Sequence, residues 1–383
     1  MNTPINRRDW MKWAAVATPR LATSYSRGRI PAVRAADYQL GPFHRPSNHR
    51  PIIVPNRQAT FHDPITHRTV RWQYTHTFNP AAIAWKNKLY VLFRAEDTSG
   101  HGIGQYCSRV GLAVSDDGKT FTQAPHPVLY PQPGRWEKYE WPGGCEDPRL
   151  VQRDDGLFVL TFTMWNHQLA RLGVATSKDL LHWTHHGPAF RKARHGQFFN
   201  TWSKSGAIVT KRVGDQIITA TIRGYYWMYW HTKGQCYLAR SHDLINWEPI
   251  VDHHAKLLCV LPKNQAGHFD TRLTESGPPA LLTDHGIVFF YNGMSDGRIL
   301  HGPHIPVGRY SAGQALFAAE SPAHLIHRPA EPYFWPTLPW EKTGQYKPGT
   351  TFTEGLAWFR HRWLLFYGAA DTVVGMASAK ASN

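Results

Sequence analysis

The sequence offers little of what a metal centre, a redox pair or a membrane span requires. Its 383 residues include only four cysteines, Cys107, Cys145, Cys236 and Cys259, and none of them forms a CxxC pair. The 23 histidines are scattered, and no His/Cys group has the spacing of zinc ligands. No segment is long and apolar enough to cross a bilayer. We therefore expect no metal, no organic cofactor and no membrane span, whereas the cysteine count leaves disulfides open.

Charged residues are also scarce, at 18%, and almost no segment shows a helical period. Aromatic residues are abundant instead, with 16 Trp, 16 Tyr and 18 Phe. Such a composition is typical of β-strands and their cores, and it also suits a surface on which sugar rings stack.

The net charge of +16 is not evenly spread along the chain. Residues 1–36 contain seven Lys and Arg against one Asp, which is +6 of the total. The rest has no Lys/Arg run and no recognisable nucleic-acid module, so we expect no nucleic-acid partner. Two adjacent arginines, Arg7 and Arg8, precede an apolar stretch, and a small-residue cleavage site is available near Ala35 or Ala36. This pattern predicts a twin-arginine export signal over 1–36 and a periplasmic protein; a disordered basic tail is the alternative.

Three stretches of the chain repeat one another. They read "GLAVSDDGKTF", "GVATSKDLLHW" and "YLARSHDLINW", and their serines Ser115, Ser177 and Ser241 are 62 and 64 residues apart. Each serine is followed two residues later by Asp and then by an aromatic residue. The pattern predicts a strand that runs into a turn, repeated at a fixed period.

Five further segments pair a polar turn with an apolar β-rich run: "KNKLYVLFR", "RDDGLFVLTFT", "VGDQIITATI", "TDHGIVFFYNG" and "RHRWLLFYG". These are hairpin signals. Five β-units of about 65 residues predict an all-β, five-bladed β-propeller over residues 37–383. A β-sandwich does not predict five copies, and a β-helix needs a much shorter period.

Polar residues precede the first strand of every predicted blade: Asn79, Asp147 with Arg149, Lys204, Glu275 and Glu354. Taken singly, each is explained as a turn cap at the rim. Together, in matching register, they predict a ring of polar groups around the central channel, where burial of charge requires a partner or a use.

Carboxylates around a channel suit cleavage of a glycosidic bond. One protonates the leaving oxygen and another activates water, at a separation of roughly 6.5–9.5 Å in inverting enzymes. Asp147, beside Glu146 and Arg149, is the candidate acid or proton relay. Glu275 and Glu354 are the candidate bases, and the sequence does not choose between them.

Six motifs in order, "NPAAIAWKNKLYVLFRAED", "GGCEDPRLV", "WSKSGAI", "ESGPPALLTDHGIVFFYNG", "YSAGQALF" and "TEGLAWFRHRWLLFYGAAD", resemble glycoside hydrolase family 130 over residues 75–378. The resemblance implies a five-bladed propeller that acts on β-mannosides, either as a hydrolase or as a phosphorylase. It implies that Asp147 is the general acid, working through a sugar hydroxyl, and that Arg94 and Asp371 hold the sugar in the −1 subsite. Glu96 and Asp97 lie beside these motifs. The predicted substrate-binding set is Asn79, Arg94, Arg149, Lys204 and Asp371.

The charges of the predicted site indicate whether water or inorganic phosphate accepts the cleaved sugar. A phosphorylase needs a cluster of Arg, Lys and His for inorganic phosphate, and the resemblance implies that hydrolytic members carry glutamates instead. Glu275 and Glu354 therefore predict hydrolysis of β-mannosidic oligosaccharides, with inversion. Lys204, Arg94 and Arg149 keep phosphorolysis, which releases mannose 1-phosphate, as the alternative.

Two other functions are compatible with the same scaffold. A sugar-binding propeller without catalysis would keep the aromatic and hydrogen-bonding groups. An arabinan- or fructan-cleaving enzyme would place its acids in other motif contexts. Two segments depart from the family pattern, namely extra residues in 214–230 and a basic stretch, "GPAFRKARHGQFFNT", at 187–201. We expect both to reshape the substrate site.

Overall fold

The computed structural model describes residues 33–297 and 305–380. The described residues from Arg34 onward form one compact unit, and its sheets are the blades of a five-bladed β-propeller, as predicted. The predicted export signal over 1–36 lies, apart from its last four residues, outside the described residues and stays a prediction.

The blades are built from antiparallel strands in chain order. A helical turn and a short hairpin precede them: α1 (Ala35–Tyr38), β1 (Phe61–Asp63) and β2 (Arg68–Val70). The first blade consists of β3 (His76–Trp85), β4 (Lys88–Glu96), β5 (Ser108–Ser115) and β6 (Thr122–Gln123). A second helical turn and the second blade follow: α2 (Glu137–Glu140), β7 (Gly144–Gln152), β8 (Phe158–Trp165), β9 (Arg171–Ser177) and β10 (Thr184–Pro188).

The third blade consists of β11 (Lys204–Val213), β12 (Gln216–Thr219), β13 (Thr221–Ile222), β14 (Tyr225–Thr232), β15 (Gln235–Ser241), β16 (Glu248–Pro249) and β17 (Cys259–Leu261). The fourth consists of β18 (Leu273–Ser276), β19 (Ala280–Thr283), β20 (Gly286–Met294), β21 (Tyr310–Ala318) and β22 (Ser321–His327). The fifth consists of β23 (Thr351–Phe359), β24 (Arg362–Ala369) and β25 (Val373–Lys380). Two short 3-10 turns lie at Ala193–Gly196 and Pro339–Glu341.

The N-terminal part of the chain closes the ring. His44 and Ile53 pair antiparallel with Ser378 and Val374 of β25, so the segment between them lies along the outer edge of the fifth blade. Buried apolar side chains of the fifth and first blades pack together at this junction, among them Val91, Phe93, Phe366 and Val374. The N-terminal segment and β25 thereby belong to the same blade. This pairing protects the outer edge of β25 from pairing with another chain.

Apolar side chains close one end of the central channel. Inner strands from all five blades contribute, and the space left between them is only about 20 Å³, room for roughly one water molecule. The extra residues of the third blade reach this closed end, because Ile217 of β12 lines the space and Asp215 accepts a hydrogen bond from the Trp358 indole at 3.0 Å. The prediction that segment 214–230 reshapes the substrate site is therefore wrong for its first part, which plugs the opposite end.

All four cysteines carry free thiols, and Cys107, Cys145 and Cys236 are buried. Burial raises the pKa of the Cys107 and Cys236 thiols to about 12, so both remain protonated at neutral pH. Across 33–297 and 305–380, the helices are all too short or too polar to span a membrane.

The repeated Ser-x-Asp pattern is a turn at the end of the third strand. Ser177 donates to the Asp179 carboxylate at 3.0 Å and accepts the Leu180 backbone N–H at 2.9 Å. The serines Ser115 and Ser241 make the equivalent bonds in the first and third blades. Leu180 has φ 67°, a left-handed conformation that this hydrogen bonding holds in place. The repeat is thus structural.

Ser177→Ala is expected to lower the free energy of unfolding by about 1–3 kcal/mol, because the buried Leu180 N–H then lacks an acceptor. Chemical denaturation monitored by tryptophan fluorescence measures the change. Lys178→Ala in the same turn is the control, since its side chain is exposed, and a change within about 0.5 kcal/mol is expected there. Equal stability of the Ser177 variant and wild type would refute the structural role of the turn.

Candidate active site

A shared backbone irregularity marks the open end of the channel. The inner strands β3, β7 and β11 each shift register near their start, and Asn79, Asp147 and Ser205 adopt φ values of 47°, 51° and 56°. In the fifth blade β23 shifts between Thr353 and Gly355. Bulges of this kind re-aim side chains, and left-handed conformations outside glycine are concentrated at functional sites. The polar ring predicted from the sequence therefore has a common structural basis.

Asp147 lies where three blades meet. Asn79 donates to its Oδ1 at 2.8 Å, Arg94 donates to the same oxygen at 3.1 Å, and the Lys204 ammonium is 3.6 Å from Oδ2. The carboxylate is buried, which favours protonation, but Arg94, Lys204 and Arg149 outweigh burial and hold the pKa of Asp147 well below its usual range. In the free protein Asp147 is therefore an ionised hydrogen-bond acceptor.

Arg94 is enclosed by carboxylates. Its guanidinium donates to Glu96 at 2.6 Å and to Ser108 at 3.0 Å, lies 2.9 Å from a Glu146 oxygen, and sits over the Phe78 ring. Burial raises the pKa of the Glu146 carboxyl despite this neighbour. Arg94 is thus a fixed counter-charge that orients several acids, and its charge is already neutralised.

Arg149 joins the second blade to the fourth and fifth. It donates to the Ser276 and Gly277 carbonyls at 2.8 and 3.1 Å, and its Nη2 is 3.0 Å from the Glu354 carboxyl. Glu354 is fully buried, and burial raises the pKa of its carboxyl well above the usual range. Arg149 therefore holds the inner strands together, and Glu354 lies out of reach of solvent.

Glu275 has a different environment. The Ser205 hydroxyl donates to its Oε1 at 2.5 Å. Burial raises the pKa of the Glu275 carboxyl, but His231, Lys204 and Ser205 lower it further than burial raises it, so the net shift is downward. His231 is fixed by a hydrogen bond of 2.8 Å between its Nδ1 and the Thr274 carbonyl. Of the two candidate bases, Glu275 and Glu354, Glu275 is therefore the ionised one.

Asp371 completes the ring from the turn between β24 and β25, with φ 50°. Burial raises the pKa of its carboxyl to about 7, and the nearby Arg94 opposes this rise. Asp97 does not join the site, because its carboxylate pairs with Arg109 at 2.8 Å in a separate buried cluster with Asp63.

The structure thus brings together all eight residues predicted for the site. Glu96, which the sequence analysis named beside Arg94, also joins the site, and the structure adds three residues that were not assigned: Glu146, Ser205 and His231. Glu146 and Ser205 stand within the quoted motifs and were within reach of sequence reasoning. His231 lies on the second strand of the third blade, and only the fold brings it beside Glu275.

Acidic groups outnumber cations in the site. Six carboxyl groups, those of Glu96, Glu146, Asp147, Glu275, Glu354 and Asp371, face the three cations Arg94, Arg149 and Lys204, and burial raises the pKa of three of the six, Glu146, Glu354 and Asp371. Such a site can position a neutral, hydroxyl-rich ligand through many acceptors and can move protons between acids of different pKa. Within the described parts of the chain, no group of three or more His, Cys, Asp or Glu is arranged to hold a metal ion.

Comparisons with known proteins agree with this fold. The sequence model of glycoside hydrolase family 130, described as beta-1,4-mannooligosaccharide phosphorylase, matches residues 47–383. A 1,2-beta-oligomannan phosphorylase from Thermoanaerobacter sp. (strain X514) is 29% identical, over 86% of this chain and 94% of the relative. A beta-1,2-mannobiose phosphorylase from the same organism is 26% identical, over 80% and 90%.

Solved structures extend the likeness. One is described by the words "The GH130 family of mannoside phosphorylases contains glycoside hydrolases that target beta-1,2 mannosidic linkages in Candida mannan"; it is 44% identical, with TM-score 0.87, over 91% of this chain and 96% of its own. A glycosyl hydrolase from Bacteroides ovatus has the same identity, TM-score and coverage. Together with the family model, these matches show that the chain belongs to glycoside hydrolase family 130.

Proposed function

We propose that this protein cleaves β-1,2-mannosidic bonds in oligosaccharides, with water as the acceptor. The linkage is taken from both curated relatives and from the 44% identical structure, all of which are described with β-1,2-mannosides. The observation that supports water is the charge of the site, in which Glu275 is ionised and the three cations already have carboxyl or carbonyl partners.

An attacking phosphate is disfavoured by the existing ion pairs. Arg94 faces three carboxyl groups, Arg149 is held by two backbone carbonyls and the Glu354 carboxyl, and Lys204 faces Asp147. A phosphate dianion would have to displace one of these partners and approach the ionised Glu275. Water carries no such penalty, and an ionised carboxylate that faces it can accept its proton.

The roles follow from protonation states. Glu275 has a lowered pKa and is therefore ionised, as a general base must be. Asp147 is ionised in the free protein, so it has to take up a proton when the substrate binds. It then passes that proton to a sugar hydroxyl, whose own proton goes to the leaving oxygen, while Glu275 takes a proton from the attacking water. Asn79, Arg94 and Asp371 surround Asp147 and position the sugar; the pKa of Asp371 is raised to about 7, so its carboxyl is partly protonated at neutral pH.

Phosphorolysis is the second candidate, and the names of the curated relatives favour it over hydrolysis, since both are phosphorylases. Lys204 would be its main phosphate ligand, because its ammonium keeps one partner at the longer distance of 3.6 Å. Mannose 1-phosphate would then be the product.

The acceptor is tested with purified protein and β-1,2-mannobiose, with and without inorganic phosphate. We expect free mannose at equal rates in both conditions, and no mannose 1-phosphate, by anion-exchange chromatography. Proton NMR of the first product is expected to show the α-anomer, as inversion requires. β-1,4-mannobiose serves as the linkage control. Mannose 1-phosphate that appears only with phosphate would reject hydrolysis in favour of phosphorolysis.

A further inference from the structure

The basic segment that the sequence pattern left unexplained lines a cavity of about 500 Å³. Its wall is formed by two stretches of chain and contains Arg135, Trp136, Lys138, Tyr139, Arg191, Lys192, Gly196 and Phe199. A cavity of this volume is in the range that holds small ligands. None of these lining residues is acidic, whereas four of them are cations.

The cavity lies on the face at which the channel opens. One stretch, containing α2, runs directly into β7 and hence to Asp147; the other runs into β11, which begins at Lys204. Each stretch therefore leads into the end of an inner strand, β7 or β11, at which a site residue lies. A ligand in the cavity is therefore on the same face as the proposed active site.

Among the described residues, none of the four cations of this cavity forms an ion pair with an acidic side chain, and Asp243 acts on Arg191 only as a weaker, more distant charge. The Nη1 atom of Arg191 is buried and has no hydrogen-bond partner among the residues described. Burial, together with the nearby Arg135, lowers the pKa of Arg191. The two neighbouring glutamates are otherwise engaged, since Glu137 accepts the Gly134 N–H and Glu140 pairs with His185. The cationic groups that a ligand in the cavity can reach are those of Arg135, Lys138 and Lys192, which are exposed, and an anionic oxygen would pair with them.

Aromatic rings give the cavity walls a fixed shape. The Arg135 and Arg191 guanidinium groups lie 4.5 and 5.8 Å from the Trp136 ring centroid. Arg171 lies against both Tyr139 and Phe199, at 4.8 and 5.2 Å from the ring centroids, and so fixes the two rings. Flat apolar surface beside cationic groups suits a ligand that combines a sugar ring with an anion.

We propose that this cavity binds the phosphoryl group of a phosphorylated mannooligosaccharide, which makes anionic mannan chains the preferred substrate class. The inference rests on the proposed cleavage of mannosides. Arginine and lysine together match a phosphoryl group, because the guanidinium supplies paired donors and the ammonium a mobile point charge.

Calorimetric titration with mannose 6-phosphate, mannose and inorganic phosphate tests the binding without turnover. Mannose 6-phosphate is expected to bind more tightly than either other probe, and Arg191→Gln and Lys192→Gln are each expected to weaken it about tenfold. Lys178→Gln, an exposed lysine on another turn, is the matched control with wild-type affinity. No binding of mannose 6-phosphate, or equal binding of inorganic phosphate, would overturn the proposal.

Kinetics on phosphorylated and neutral mannobiose separate this inference from the proposed function. Lys192→Gln is expected to lower kcat/KM for the phosphorylated substrate about tenfold and to leave the neutral substrate unchanged. Equal losses on both substrates would overturn the inference. If neither substrate is cleaved while mannose 6-phosphate still binds, the proposed function fails and the anionic site stands.

Discussion

Asp147→Asn is expected to reduce kcat/KM on β-1,2-mannobiose by about 10³-fold, the middle of the range for loss of a general acid–base group. Asparagine keeps the size of the side chain and an oxygen for the Asn79 and Arg94 donors, which now lie at 2.8 and 3.1 Å. It cannot carry a proton. Steady-state kinetics with product quantification measures the loss, which corresponds to about 4 kcal/mol of transition-state stabilisation.

The fold should survive this substitution. Arg94 keeps Glu96 and Glu146 as partners after the Asp147 charge is removed, so no cation is left buried alone. The matched control is Asp155→Asn, at the opposite end of the same hairpin, where the carboxylate pairs with Arg153 on the surface. Wild-type kcat/KM is expected for that variant. A loss smaller than tenfold for Asp147→Asn, with unchanged thermal stability, would remove Asp147 from the chemistry.

The polar ring was predictable because it depends on local patterning. In every blade a polar residue precedes a small or proline residue and an apolar strand, as Glu275 does in the fourth blade. Asn79, Asp147 and Glu354 fall at the register shift of their strands, and Lys204 lies one residue before that of β11. The hairpin signals and their spacing give the number of blades for the same reason. Features that arise within a single blade can therefore be predicted from the sequence of that blade.

Contacts between blades were not predictable in this way. His231 and Glu275 belong to different blades, and the pKa of Glu275 depends on that contact. Segment 214–230 looked like an elaboration of the substrate site, yet Ile217 packs at the closed end of the channel. The location of inserted residues depends on the end of the strand that they follow. Segment 214–230 follows the C-terminal end of β11, which lies at the face opposite to Lys204.

The two candidate bases, Glu275 and Glu354, differ in their environments, although the sequence pattern around them does not distinguish their roles. Glu354 is fully buried with a raised pKa, whereas Glu275 is held ionised by His231, Lys204 and Ser205. A glutamine resembles a protonated glutamic acid, so it should replace Glu354 at little cost. The same exchange at Glu275 removes a charge that the proposed mechanism uses.

We therefore expect Glu275→Gln to lower kcat about 10³-fold and Glu354→Gln to lower it by less than tenfold. The pH profile gives an independent reading. A base works when ionised, so kcat/KM is lost as the pH falls through its pKa, and the lowered pKa of Glu275 places that acidic limb below about 4.3, the ordinary value for glutamate. Ser205→Ala removes a hydrogen bond to the ionised form and should move the limb upward. If the acidic limb lies well above that value and Glu354→Gln is the inactive variant, the role of base belongs to Glu354. If Glu275→Gln is fully active, but only when phosphate is present, phosphorolysis is favoured instead, because it needs no such base.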